Sequence, residues 1–199
     1  MPRSPLRAAR EFFSIAAQTD PNAYGNGYGL TALLPIVAGR EDDLEAHLAT
    51  LDPLASPFGR VPQAHFTRLL VIRDLVYQGP PQIPESLDSS YLIFTSSFDG
   101  KLDRYLQDLA RLVGEEAAEV FAHTVGFPGV GDPGAFASWI LKHKRDNGYV
   151  LTPWPFASVQ DVKEGLRVQK GFGELVEGAR DMDDAELQAA FGRLMAGGR

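Results

Sequence analysis

From Tyr28 onward the apolar positions fall into blocks that alternate between strand-like and helix-like spacing. "YGLTALLPI" (28–36) is a continuous apolar run of strand length. "AGREDDLEAHLATL" (38–51) then sets Leu44, Leu48 and Leu51 at helical spacing, behind acids that suit a helix N-terminus. The Pro/Gly-rich "DPLASPFGRVP" (52–62) reads as a loop, and "QAHFTRLLVIRDLVY" (63–77) as a second strand. A second loop, "QGPPQIPESLDSS" (78–90), leads to a third strand, "YLIFTSSF" (91–98). In "DGKLDRYLQDLARLVG" (99–114), Leu102, Leu106, Leu109 and Val113 share one helical face, and Gly114 is a natural stop. "EVFAHTVGFPG" (119–129) reads as a short fourth strand closed by Gly-Phe-Pro-Gly.

This order predicts an α+β fold: a ferredoxin-like βαββαβ antiparallel sheet with both helices on one face. Strands two and three are apolar on both faces, which an antiparallel sheet with one wet face would not be. A cover for the second face is therefore expected, from the C-terminal segment, a second copy, or both. Residues 1–27 read as an N-terminal arm, with a helical stretch over Pro5–Ala17 and the turn-rich "DPNAYGNGYG". Residues 28–129 form the expected core, and 130–199 a helical extension packed on it. Helices are expected over 132–145, 158–178 and 183–195, each opened by Asp or Ser. The aromatic, proline-rich "NGYVLTPWPF" between the first two reads as packing.

Composition narrows the partners. The 199 residues carry 19 basic and 26 acidic side chains, a net charge of −7, with no basic stripe, so nucleic acid is not an expected partner. Cysteine is absent, which removes thiolate, disulfide and cysteine-zinc chemistry and suits a reducing compartment. No run approaches the roughly 20 apolar residues of a membrane span, and a cytoplasmic location is expected.

The candidate chemistry gathers at strand ends. Asp99 follows strand three, His65 opens strand two, His123 lies on or just before strand four, and Arg68 lies a little further along strand two. The predicted topology brings His65, Asp99 and His123 to one sheet edge, with His65 and Asp99 close enough to pair and His123 about 10 Å further off at ~4.8 Å per strand. Imidazole can act as acid, base or axial ligand, and two imidazoles with a carboxylate can form an open metal site. Each residue also has a structural reading: Asp99-Gly100 as a turn and helix cap, His65 as a satisfied sheet-edge histidine. His47 and His143 read as solvated helix-face residues. P-loop, G-x-S-x-G and H-E-x-x-H motifs are absent, and "GNGYG" (25–29) precedes a strand rather than opening a helix, so it is no dinucleotide fingerprint.

"HFTRLLVI" (65–72), "YLIFTSSFDGKLDRYLQDL" (91–109), "HTVGFPG" (123–129) and "DPGAFASWI" (132–140) together resemble a bacterial family with a ferredoxin-like core, to which no reaction is attached. The resemblance covers roughly residues 28–170. More distantly, the layout is similar to the dimeric α+β barrel superfamily, in which two ferredoxin-like sheets face each other around a pocket. That superfamily includes haem-dependent dye-decolourising peroxidases, chlorite dismutase-like proteins and cofactor-free monooxygenases. "SSFDG" echoes the peroxidases' Gly-x-x-Asp-Gly motif, with Ser96 where the leading Gly stands. The likeness is one of fold. It implies a homodimer and a small-molecule ligand and admits haem as a cofactor, although the sequence carries no signal for the peroxidases' proximal histidine; the convergence at the sheet edge casts His123 as axial ligand or acid/base. His65, Arg68 and Asp99 would then position the ligand or move protons. The expected function is a small-molecule-binding protein with oxidoreductase-like chemistry at one sheet edge. A non-catalytic ligand- or protein-binding module is the alternative.

Overall fold

A computed structural model of the chain describes residues 19–197, so the expected helix over Pro5–Ala17 lies outside the described residues. The described chain divides into two compact units, one ending at Phe156 and the other starting at Ala157.

The first unit is built on an antiparallel sheet of five strands: β1 (Ala23–Tyr24), β2 (Gly27–Pro35), β3 (Ala64–Ile72), β4 (Tyr91–Asp99) and β5 (Lys144–Arg145). The order is β1-β2-β4-β3, with β5 also pairing β2. Because β4 lies between β2 and β3 and runs antiparallel to both, those two strands are parallel to each other. Helix α1 (Glu41–Thr50) lies between β2 and β3 in the chain. Helix α2 (Leu102–Phe121) follows β4, and α3 (Pro133–His143) precedes β5.

Alternation along the strands decides which face is buried. Leu30, Ala32 and Leu34 of β2 join Leu92, Phe94 and Phe98 of β4 in the core. Aromatic rings carry the packing from sheet to helix. Phe98 stacks on Tyr105 with ring centroids 3.8 Å apart, and Phe94 meets Phe121 edge-on at 5.4 Å, a favourable quadrupole arrangement. On the other face Phe66 and Leu70 of β3 remain about half exposed. That face is the one predicted to need a cover.

The expected fourth strand over 119–129 is not formed. Gly114 takes φ +44° and kinks α2 where a stop was expected, but a further helical stretch runs on to Phe121. Ala117, Val120 and Phe121 recur at spacings of three and four, the helical period, and all three are buried. Over 122–129 the chain meets the end of β2 in an isolated bridge, Ile36 with Thr124, instead of a strand. The outer edge of β2 is instead occupied by β1 and β5.

Polar side chains tie these short strands in place. Buried Asn22 donates from Nδ2 to Asp20 and Asp146 and accepts from the Asn147 amide, so its burial is compensated. Asn147 in turn donates to the Gly29 carbonyl at 2.7 Å. Gly25 (φ +64°) must be glycine, because a Cβ there would overlap the Pro155 carbonyl, which accepts a bond from the Asn26 amide. Part of the "LTPWPF" connection thus packs on the β1–β2 turn, although Trp154 itself is 75% exposed.

Helix α3 starts as its Asp-Pro opening predicts: Asp132 accepts from the Gly134 and Ala135 amides. It adds Phe136, Trp139 and Ile140 to the same core, so residues 130–156 belong with the sheet. The second unit consists of α4 (Val159–Gly178) and α5 (Asp184–Ala196), opened by capping boxes Ser158/Asp161 and Asp183/Glu186. Among the described residues no helix is long and apolar enough to cross a membrane.

Candidate functional site

The site begins with an irregularity in β3. Ala64 pairs with Phe98 and Phe66 with Ser97, so His65 is an extra residue in a β-bulge. Bulges re-aim side chains at the rims of sheets. Here His65 Nε2 lies 2.7 Å from Asp99 Oδ1 at the end of β4. The strand end beneath the pair is fixed from both sides: the Asp99 amide donates to the Gln63 carbonyl, and the Gly100 amide to the Asn26 carbonyl. Gln63 is itself held by Asp108 on α2 at 2.9 Å.

The helix cap expected of Asp99 falls elsewhere. Lys101 occupies the cap position of α2 without a side-chain cap bond, while the Asp99 carboxylate binds His65. A carboxylate only accepts, so Nε2 carries the hydrogen and Nδ1 is left as an acceptor. Both side chains are reached by solvent, His65 at 34% and Asp99 at 16%.

Two clefts flank the pair. One, of about 440 Å³, includes His65 and Thr67 on β3, Ser56 and Asp52 in the preceding loop, and apolar walls from Phe58 and Leu69. The other, of about 530 Å³, runs past Gly27, Gly100, Lys101 and Tyr28. Burial pushes the Tyr28 phenol above its usual range; Lys144 opposes this shift and Asp20 adds to it.

The remaining predicted residues do not join this pair. Arg68 is in register with Thr95, four residues from Asp99, about 13 Å along the strand at ~3.3 Å per residue. Its guanidinium lies 5.9 Å from the centre of the Phe66 ring instead. The predicted edge shared with His123 is corrected by the register: Asp99 faces Gly27 at the start of β2, whereas the His123 carbonyl accepts from Val37, just past its end. Nine residues of β2 therefore separate the two, about 30 Å. The expectation placed the end of the first strand beside the end of the third, but antiparallel pairing sets its start there.

His123 belongs to a different arrangement. Its ring stacks near that of His47 with centroids 6.4 Å apart, and neither His123 Nδ1 nor His47 Nε2, both buried, has a hydrogen-bond partner. Glu119 Oε2 is 3.9 Å from His47 Nε2, beyond hydrogen-bond reach. Burial, followed by the Arg40 charge, holds the His123 imidazole below the usual histidine range, with Asp43 opposing. The His123 ring lies against another imidazole, and its Nδ1 is buried. These surroundings do not fit an axial haem ligand. His47 and His143 are also less solvated than expected: His143 Nδ1 lies 2.9 Å from the Trp139 carbonyl and its ring packs on Trp139.

Two further polar residues were not singled out as functional. Ser96 is buried and meets the Tyr105 hydroxyl at 2.7 Å, besides donating to the Phe66 carbonyl. It therefore serves the core beneath the bulge, and burial pushes the Tyr105 phenol up. Tyr28 lines the second cleft from within the expected first strand, where its ring also stacks on Phe98. A polar-tipped aromatic in an otherwise apolar run was the only signal for it.

Among the described residues no three His, Asp or Glu side chains converge in a way that could hold a metal ion. What the site can do is hold a small molecule beside an imidazole whose other nitrogen is fixed by a carboxylate. No family model, curated protein or solved structure matches the chain, so this chemistry rests on the residues themselves.

Proposed function

We propose that the protein binds a small molecule in the cleft beside His65 and moves a proton to or from it, with Asp99 holding the imidazole. The observation that carries this reading is the 2.7 Å His65–Asp99 bond on a bulge that opens into a partly apolar cleft. Asp99 fixes ring orientation and tautomer and stabilises the imidazolium that forms when Nδ1 takes a proton, the usual role of a carboxylate behind a catalytic histidine. Phe58 and Leu69 suit an apolar ligand body, and Ser56 and Thr67 supply hydroxyls for its polar end. Of the oxidoreductase chemistry that the resemblance implies, these residues supply proton transfer and binding. Arg68 and His123 fall outside the proposed site.

The same proposal takes the β2-α1-β3-β4-α2 unit as a ferredoxin-like core whose fourth strand has been replaced by β1 and β5, with the C-terminal helices as its extension. The cysteine-free composition supports a cytoplasmic setting. The half-exposed Phe66 and Leu70 favour a second reading, in which the open sheet face binds a protein, a homodimer partner included.

A thermal-shift screen of small metabolites against the wild-type chain and the His65→Ala and Asp99→Asn variants tests the proposal. A compound that stabilises the wild type and loses its effect in both variants supports it. Compounds that stabilise all three equally contradict it.

A further inference from the structure

The second unit has almost no core of its own. Of α4 and α5, only Val159 is buried, while Val162, Leu166, Phe172 and Val176 on α4 and Phe191 and Met195 on α5 are each about half exposed. At 3.6 residues per turn the four α4 positions fall within an arc of about 120°, an apolar stripe interrupted by Gln169. Between the helices Phe172, Leu175, Val176, Leu187 and Phe191 line a groove of about 470 Å³. A pair of helices with a stripe and a groove but no buried interior lacks the burial that offsets its conformational entropy.

Charge along the hairpin says what fills the groove. The turn end carries Glu174, Glu177, Asp181, Asp183, Asp184 and Glu186 against Arg180 alone. Lys170 lies past the middle of α4, where it pairs with Glu174, and the opposite end carries Lys163, Arg167 and Arg193 against Asp161 and Glu164. The two ends thus have opposite sign. A second copy laid antiparallel across the groove sets each acidic end beside a basic one, whereas a parallel copy sets acid beside acid.

We propose that the α4–α5 hairpin pairs antiparallel with the hairpin of a second copy, forming a four-helix bundle around Phe172 and Phe191. Helices of 20 and 13 residues at 1.5 Å per residue, two abreast, offer a face of about 500 Å² per copy. The total of roughly 1,000 Å² is where specific interfaces begin. Close helix approach within each hairpin is already built in, since Gly171 lies against the Leu194 side chain, which a larger residue there would have to displace.

Sedimentation equilibrium of the full chain over a dilution series tests the pairing, with circular dichroism reporting helix content. A concentration-dependent dimer is expected, weakened at least about tenfold by Phe172→Glu or Phe191→Glu. Because those variants can also disturb the hairpin, exposed Lys163 at the basic end supplies a gentler test. Lys163→Glu weakens the dimer, added salt weakens the wild-type dimer, and Lys163→Glu combined with Glu177→Lys restores it. A monomer at every concentration overturns the proposal. So does a dimer indifferent to these substitutions, one broken instead by Phe66→Glu on the sheet, or one that the charge exchange fails to restore.

Discussion

The two ends of the sheet each hold a pair of ionisable side chains, and they treat them in opposite ways. At one end His65 and Asp99 share a 2.7 Å hydrogen bond within reach of solvent, and His65 lines a cleft. At the other, His47 and His123 each bury a ring nitrogen with no hydrogen-bond partner. A buried unpaired polar atom costs about 1–3 kcal/mol, and the closed end is held in spite of that by neighbouring aromatic packing. Phe121 lies against Phe127, Phe136 and Trp139 with ring centroids 5.7–6.1 Å away, and the Trp139 indole donates to the Val125 carbonyl. Residue type alone therefore does not separate the two pairs; the proposal for His65 rests on a fixed second nitrogen together with open access.

The largest effect that separates the ends is on stability. Phe121→Ala, at a fully buried position, is expected to lower the unfolding free energy by about 3–5 kcal/mol in chemical denaturation. His65→Ala, at a partly exposed position, is expected to change it by less than about 1 kcal/mol. Equal losses at the two positions would erase the distinction.

A second test uses the outer edge of β2, where Gly25→Ala forces a Cβ against the Pro155 carbonyl in a left-handed conformation. The expected loss is about 1–3 kcal/mol, and hydrogen exchange is expected to quicken at the Asn26 and Gly29 amides first.

The smallest effect is on pH dependence. The folded protein holds His123 neutral below the usual histidine pKa, while the unfolded chain binds the proton near pH 6.5. Protons therefore favour the unfolded chain, and stability falls as pH drops below about 6.5, until the folded-state histidine also titrates. His123→Gln is expected to flatten that part of the profile measured by urea denaturation at successive pH values. An unchanged slope would assign the dependence to other groups.

Much of the sheet was legible because strand alternation and helix period are local signals. The runs at 28–36 and 91–98 became β2 and β4, and "DPGAFASWI" opened α3 at Asp132. The segment after Gly114 was not legible, because "EVFAHTVGF" allows either period and only the packing of Ala117, Val120 and Phe121 decides for helix. Pairing of His65 with Asp99 followed from adjacent strands. The misplacement of His123 followed from setting the first strand's end, rather than its start, beside Asp99. The bulge at His65 and the bond between Ser96 and Tyr105 depend on register and burial, which no local spacing encodes.

The most direct test of the central claim is a fragment screen by amide-proton NMR on the isotope-labelled full chain, repeated with His65→Ala. The account predicts that shift changes cluster on Gly59, His65, Phe66, Thr67 and Leu69, and that the variant loses them. Shifts gathered around Phe136, Trp139 and His123, or retained in full by the variant, would contradict it.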